Sequence, residues 1–221
     1  MPDDQTTPLE DAQGLATAAN AGATAQRKRP KPGERRVQIL QMLATMLEHP
    51  AGERITTASL AARLDVSEAA LYRHFASKAQ MFEGLIEFIE QSVFTLVNQI
   101  VEREQGAGSG ERQCARIMGM LMQFAEKNPG MARVMVGDAL VFENERLQQR
   151  MNQFLDKLEA SFKQCLRDGA AALAPTPTAA AQVQAAVLTA FAVGRLQRYV
   201  RSGFKRAPSE QLDLCLATIL G

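Results

Sequence analysis

I-T-T-A-S-L-A-A-R-L-D-V-S-E-A-A-L-Y-R-H-F-A-S-K, residues 55–78, reads as two short helices meeting at a tight turn. Thr57 is suited to cap the first helix, because its hydroxyl can accept from an orphaned backbone N–H. Leu60, Ala61 and Leu64 give that helix an apolar face at helical spacing. Asp65 falls where the chain must turn sharply, and Asp tolerates a left-handed backbone better than most residues. Val66 can plug the angle between the helices. Ser67 can cap the second helix, which is expected over roughly Ser67 to Phe75. Leu71 and Phe75 point inward, while Glu68, Ala69, Tyr72, Arg73 and His74 point outward. Small residues at the start of this helix, Ser67 and Ala70 among them, permit close approach to a surface, and Tyr72, His74 and Lys78 supply donors. A helix-turn-helix lays such a helix in the DNA major groove. The plainer alternative is an ordinary αα-hairpin inside a bundle.

The charge distribution supports the first reading. The formal net charge of the 221 residues is only +1. Residues 1–26 carry four acidic residues and no Lys or Arg, residues 27–78 carry ten basic against five acidic, and the remainder balances at fifteen of each. Positive charge is thus confined to the helix-turn-helix and the segment leading into it, as in a DNA-binding footprint. Residues 1–33 hold little that could be buried and are expected to be a disordered acidic tail ending in a basic arm. Arg27, Lys28 and Arg29 in that arm are candidates for phosphate or minor-groove contact. A merely solubilising charge cluster is the other reading.

Glu34 to Glu48 has a helical apolar period and is stopped by His49-Pro50-Ala51-Gly52, which makes His49 a helix-end residue. With the two motif helices it completes a three-helix head over residues 34–78. Residues 79–221 form a helical body. Ser77 and Gln80 form the capping-box signature of a long helix running to about Val101, before a Gly-rich loop at 105–110. Further helices are expected over Glu111–Lys127, Met131–Val136, Asp138–Leu166, Gln182–Phe204 and Ser209–Leu220, with no strand. The two closing helices are rich in small and aliphatic residues, which suits a two-fold four-helix interface. Packing within one chain would use the same residues.

Other chemistry is poorly represented. Cys114, Cys165 and Cys215 are widely spaced, without a CxxC pair, and fit small buried residues of a reducing compartment. There is no phosphate-binding glycine loop, no HExxH, and only two histidines, so no metal, cofactor or enzyme is indicated. Glu143 and Glu145 are expected to be solvated on a polar helix face. No secretory signal and no apolar run of membrane-spanning length is evident, so a cytoplasmic protein without a membrane partner is expected.

The basic arm, the motif T-T-x-x-L-A-x-x-L-x-V-S-x-x-x-L-Y-x-H-F-x-S-K and the all-helical body together resemble the TetR family. More narrowly, V-S-E-A-A-L-Y-R-H-F-A-S-K, N-P-G-M-A-R-V and G-D-A-L-V-F-E resemble the nucleoid occlusion members of that family, from about Arg35 onward. The resemblance implies an all-α, TetR-like fold and a homodimer on palindromic DNA. When DNA-bound, such a dimer opposes assembly of the division protein FtsZ over the nucleoid. It implies DNA contacts from Thr56, Thr57, Tyr72, His74 and Lys78, and an FtsZ-facing surface bordered by Phe88, Lys127 and Asn128. Leu96 and Gln123 depart from the pattern, standing where a basic and a glycine-like residue are expected. The alternative within the family is a transcriptional repressor released by a small effector, which needs a roomy apolar pocket in the body.

Overall fold

The computed structural model describes residues 33–49, 55–106, 108–169 and 177–221. The expected tail up to residue 32, the arm Arg27-Lys28-Arg29, the Pro50-Ala51-Gly52 stop and most of the tract at 170–179 lie outside the described residues. Among the described residues the chain is all helix, with no strand. In order the helices are α1 (Glu34–Leu47), α2 (Thr57–Leu64), α3 (Glu68–Tyr72), α4 (Lys78–Arg103), α5 (Ser109–Lys127), α6 (Pro129–Met135), α7 (Glu145–Gly169), α8 (Pro177–Arg201) and α9 (Leu212–Leu220).

The turn of the quoted motif has a simple cause. Asp65 takes φ 53° and ψ 52°, and its N–H returns to the carbonyls of Ala61 and Ala62. Val66 N–H bonds Ala61 O at 3.0 Å and its side chain packs on the core, so α2 and α3 meet at a sharp angle. Ser67 caps α3 by accepting from Ala70 N–H. The recognition helix is shorter than expected, because the backbone after Tyr72 tightens into turns while Phe75 is drawn under the head.

One apolar cluster runs through head and body without a break, from Ile39, Leu43 and Phe75 to Leu158 and Phe162. Alpha4 spans both. Its 26 residues make a rod of about 39 Å. It buries Phe82, Leu85, Ile86, Ile89, Val93 and Val97 on one side. On its polar flank it is tied to α7 through Arg146–Glu83 at 2.8 Å, Arg150–Glu90 at 3.2 Å and Lys157–Glu90. The turn after α4 is stapled by buried Gln113, whose Nε2 donates to Glu104 O at 2.6 Å and Val101 O at 3.3 Å. Cys114 and Cys165 are buried where α5 meets α7, and Cys215 is half-buried. The hydrogen bond with Cys165, reinforced by burial, holds the Cys114 thiol protonated, well above the ordinary thiol range.

Three expectations about the body are corrected. The helix expected from Asp138 begins only at Glu145. Gly137, at φ 77°, turns the chain into a single 3₁₀ turn over Asp138–Leu140, and Asn144 Oδ1 then accepts from Arg146 N–H. Glu143 therefore lies in a loop and is not solvated on a helix face. Alpha8 starts earlier and ends earlier than expected, because Gly203 and Phe204 both turn left-handed. The bonds Phe204 N–H to Tyr199 O and Gly203 N–H to Val200 O close a Schellman motif, with the Phe204 ring 5.2 Å from that of Tyr199. Finally, Ala179–Arg201 reaches a mean hydropathy of 1.3, enough by length and composition for a membrane-spanning helix. Its alanines raise that value, and one side of the helix is buried in the bundle at Ala181, Ala185, Leu188 and Ala192.

Gly130 at the start of α6 presses on α1, where an added Cβ would lie 2.0 Å from Ala44 O. Gly130→Ala is expected to lower the unfolding free energy by about 1–3 kcal/mol despite the better helix propensity of alanine. Gly119→Ala, with nothing within 4 Å of the new Cβ, should be neutral or stabilising by up to about 1 kcal/mol. Urea melts of the two variants check the contrast.

Candidate nucleic-acid interface

The head places Thr56 and Thr57 at the start of α2, Ser67 and Ala70 at the start of α3, Tyr72 and His74 at and just past its end, and Lys78 at the start of α4. Thr56, not Thr57, caps α2. It is extended at φ −107° and ψ 158°, its Oγ1 accepts from Ser59 N–H at 3.0 Å, and Ser59 Oγ accepts from Thr56 N–H at 3.0 Å. The T-x-x-S pair was the available signal, since only Thr56 has a hydroxyl partner three residues on. Because Thr56 Oγ1 is used as an acceptor, its own proton remains to be given outward. Thr57 is differently employed. Its hydroxyl donates to Glu68 Oε2 at 2.6 Å across the motif, and Tyr72 OH lies 3.5 Å from Thr57 Oγ1.

Alpha3 presents Glu68, Ala69 and Tyr72 to solvent, and the turn after it presents Arg73 and His74, with Tyr72 46% exposed. Ser67 is spent on the cap and Ala70 is half-buried behind it. The end of this segment is fixed by a residue that sequence reasoning missed. Arg36 of α1 donates from Nη1 to His74 O at 3.0 Å while its guanidinium stacks 4.1 Å over the Phe75 ring. Nothing in the local pattern marks that contact, because 38 residues separate the partners.

Lys78, the first residue of α4, bonds Glu143 of the body loop at 2.5 Å. The two side chains are only 21% and 10% exposed, so the donor expected to face DNA is held by the body. Ser77 caps α4 as expected, accepting from Gln80 N–H. The Gln80 side chain, however, accepts from Ala76 N–H instead of reaching Ser77. Beside this junction Arg133 of α6 pairs with Asp138 at 2.6 Å and donates to Leu47 O at 3.1 Å and His49 O at 3.5 Å, closing the end of α1. A cleft of about 550 Å³ lies there, lined by Met46, Ile55, Phe82, Phe142 and Glu143 among others.

Phe88 lies ten residues along α4 from Lys78, roughly 15 Å away. It is partly buried and lines a shallow apolar crevice of about 30 Å³ with Val37, Leu40, Gln41, Leu85 and Met131. Lys127 is exposed at the end of α5, and Asn128 Nδ2 donates to Phe124 O at 2.8 Å, so Asn128 helps form the corner between α5 and α6. Leu96 is half-buried and Gln123 exposed.

Residues 51–85 match the family of bacterial regulatory proteins of the tetR type, and residues 112–219 match the tetracyclin repressor-like, SlmA-like C-terminal domain. The nucleoid occlusion factor SlmA of Colwellia psychrerythraea is 50% identical over 188 residues, covering 85% of this chain and 93% of the relative. That of Idiomarina loihiensis is 49% identical over 179 residues, covering 81% and 90%. The chain belongs to the SlmA family. Solved folds agree with an all-α TetR-like architecture for this SlmA-family chain. FadR of Bacillus subtilis with stearoyl-CoA superposes at TM-score 0.66 and 13% identity, over 84% of this chain and 97% of that one. NalD of Pseudomonas aeruginosa superposes at 0.63 and 18%, over 86% and 96%. The protein is accordingly a DNA-binding regulator.

Two outcomes test the interface. Thr56→Ala should weaken binding to specific and random duplexes alike, read by fluorescence anisotropy, while losing a cap worth about 1 kcal/mol in a thermal melt. Glu143→Gln removes the carboxylate that competes with phosphate for Lys78. The two side chains are only 21% and 10% exposed, so losing the pair should lower stability in a melt, while the freed ammonium should raise affinity for DNA of any sequence at low salt. Unchanged affinity would mean that Lys78 stays on the body.

Proposed function

We propose that this SlmA-family protein acts as a nucleoid-associated, cytoplasmic homodimer that binds palindromic chromosomal sites. On those sites it antagonises FtsZ ring assembly, so that division waits for chromosome segregation. The supporting observation is α4 itself. One unbroken helix begins at Lys78, beside the recognition helix, and carries Phe88 to an apolar crevice between α1 of the head and α6 of the body. Seating the head on DNA sets the near end of this rod, and the ion pairs with α7 pass its position to the body. The head of residues 34–78 supplies the DNA contacts of Thr56, Thr57, Ser67, Ala70, Tyr72, His74 and Lys78, aided by Arg27, Lys28 and Arg29. The body of residues 79–221 supplies dimer and partner surfaces. The surface around Phe88, with Lys127 and Asn128 at the end of α5, would carry the FtsZ contact.

The dimer is supported by the outer face of α8. Ala179, Val183, Ala186, Val187 and Ala190 are exposed at helical spacing, with Val183 65% exposed, and a Cβ at Gly194 would meet nothing within 4 Å. On α9, Leu214 is 71% exposed. Two such faces related by a two-fold axis can approach closely and cover each other's aliphatic surface. The effector-released repressor needs a chamber at the centre of the body. There, Met118, Met122, Phe154 and Phe162 fill the space, each at most 1% exposed.

Sedimentation of FtsZ polymers with this protein, with and without a palindromic duplex, tests the function directly. Phe88→Ala should leave palindrome affinity nearly intact and abolish the DNA-stimulated loss of polymer. If Phe88 were purely core, truncation would cost about 3–5 kcal/mol and impair both activities together.

A further inference from the structure

Glu68 is the first residue of α3 and lies exposed on the surface that meets DNA. An acidic side chain there is unfavourable toward phosphate, since like charges repel as the duplex approaches. Yet the carboxylate is not left to swing away. Thr57 Oγ1 donates to its Oε2 at 2.6 Å and holds it in place, and Tyr72 OH stands 3.5 Å from that Thr57 hydroxyl. A fixed carboxylate accepts only, so it needs a donor. The edge of a duplex offers few. In the major groove the donors are the exocyclic amino groups, N4 of cytosine and N6 of adenine, and the residues at the start of a recognition helix are those that reach base edges. Adenine pairs its amino group with the N7 acceptor, which a carboxylate would repel. Cytosine presents its amino group without that adjacent acceptor on the same base.

We propose that Glu68 is a specificity residue that reads the N4 amino group of a cytosine in each half-site. Thr57 orients it through Oε2, leaving Oε1 to accept from the base. This rests on the reading that the head binds DNA through α3. The carboxylate lowers affinity for every sequence that lacks the donor, and so sharpens discrimination against random chromosome.

The test uses the full-length protein and duplexes selected from a random pool. Anisotropy titrations then follow wild type, Glu68→Gln and Glu68→Ala against a set with each base pair substituted in turn. Wild type should show one symmetric pair of positions where replacing C·G costs about ten-fold or more. Glu68→Gln, with both an acceptor and a donor, should move the preference at those positions from cytosine toward adenine. Glu68→Ala should flatten the preference there, leave the other positions unchanged, and bind random duplex more tightly than wild type. A uniform change across all positions in both variants would overturn the proposal and reduce Glu68 to a support for Thr57. A wild-type protein that binds duplex without selecting a sequence would also overturn the proposal, and one that binds no duplex would overturn the DNA-binding reading on which it stands.

Discussion

The structure turns on the close approach of α6 to α1. At Gly130 the backbone of the body lies so near Ala44 O that no side chain fits between them. That contact brings Met131 into the crevice with Phe88, Val37 and Leu40, and brings Arg133 to the last carbonyls of α1. The head is therefore built onto the body and shares its core. A loose head would let the recognition helix move without consequence for the rest of the molecule. Here any rotation of α1 must be felt at α6, at the α5–α6 corner and along α4.

Charge is arranged along α4 to the same effect. Lys78, Glu83 and Glu90 each have a partner on the body, at Glu143, Arg146, and Arg150 with Lys157. Pairs this exposed add little stability one by one. Their value is positional, because together they define how far the rod can turn relative to α7. The Lys78–Glu143 pair differs from the rest. Glu143 is largely buried and its loop carries the exposed side chains of Val141 and Phe142, 62% and 77% accessible. If a DNA phosphate takes Lys78, as proposed, that carboxylate loses its ammonium and DNA binding becomes thermodynamically linked to the loop.

The interface itself is a compromise between attraction and selectivity. In the proposed interface, Thr56, Tyr72, His74 and the basic residues around the motif would favour any duplex. Glu68, clamped by Thr57, would oppose it. A DNA-binding surface made only of donors would bind the whole chromosome with nearly equal strength, and a regulator that must sit at chosen sites gains from a group that penalises the others.

Local order was legible in the sequence because it depends on neighbours within a turn or two. The αL conformation of Asp65, the Ser67 and Ser77 caps, the buried Leu71 and Phe75, the breaks at Asn128-Pro129 and the apolar stripe of α4 all follow from residue type and spacing. Even the Thr56 cap was readable from its Ser59 partner. The family, too, was legible, since its motifs are contiguous strings. What tertiary structure alone decided involves residues brought together from far along the chain. Arg36 reaches His74, Lys78 reaches Glu143 across 65 positions, and Phe88 shares a crevice with Met131. A carboxylate reads in sequence as a solvated charge. Whether it is solvated, paired or clamped depends on which helix packs beside it, and only the three-dimensional packing of α1, α4, α6 and the 137–144 loop settles that.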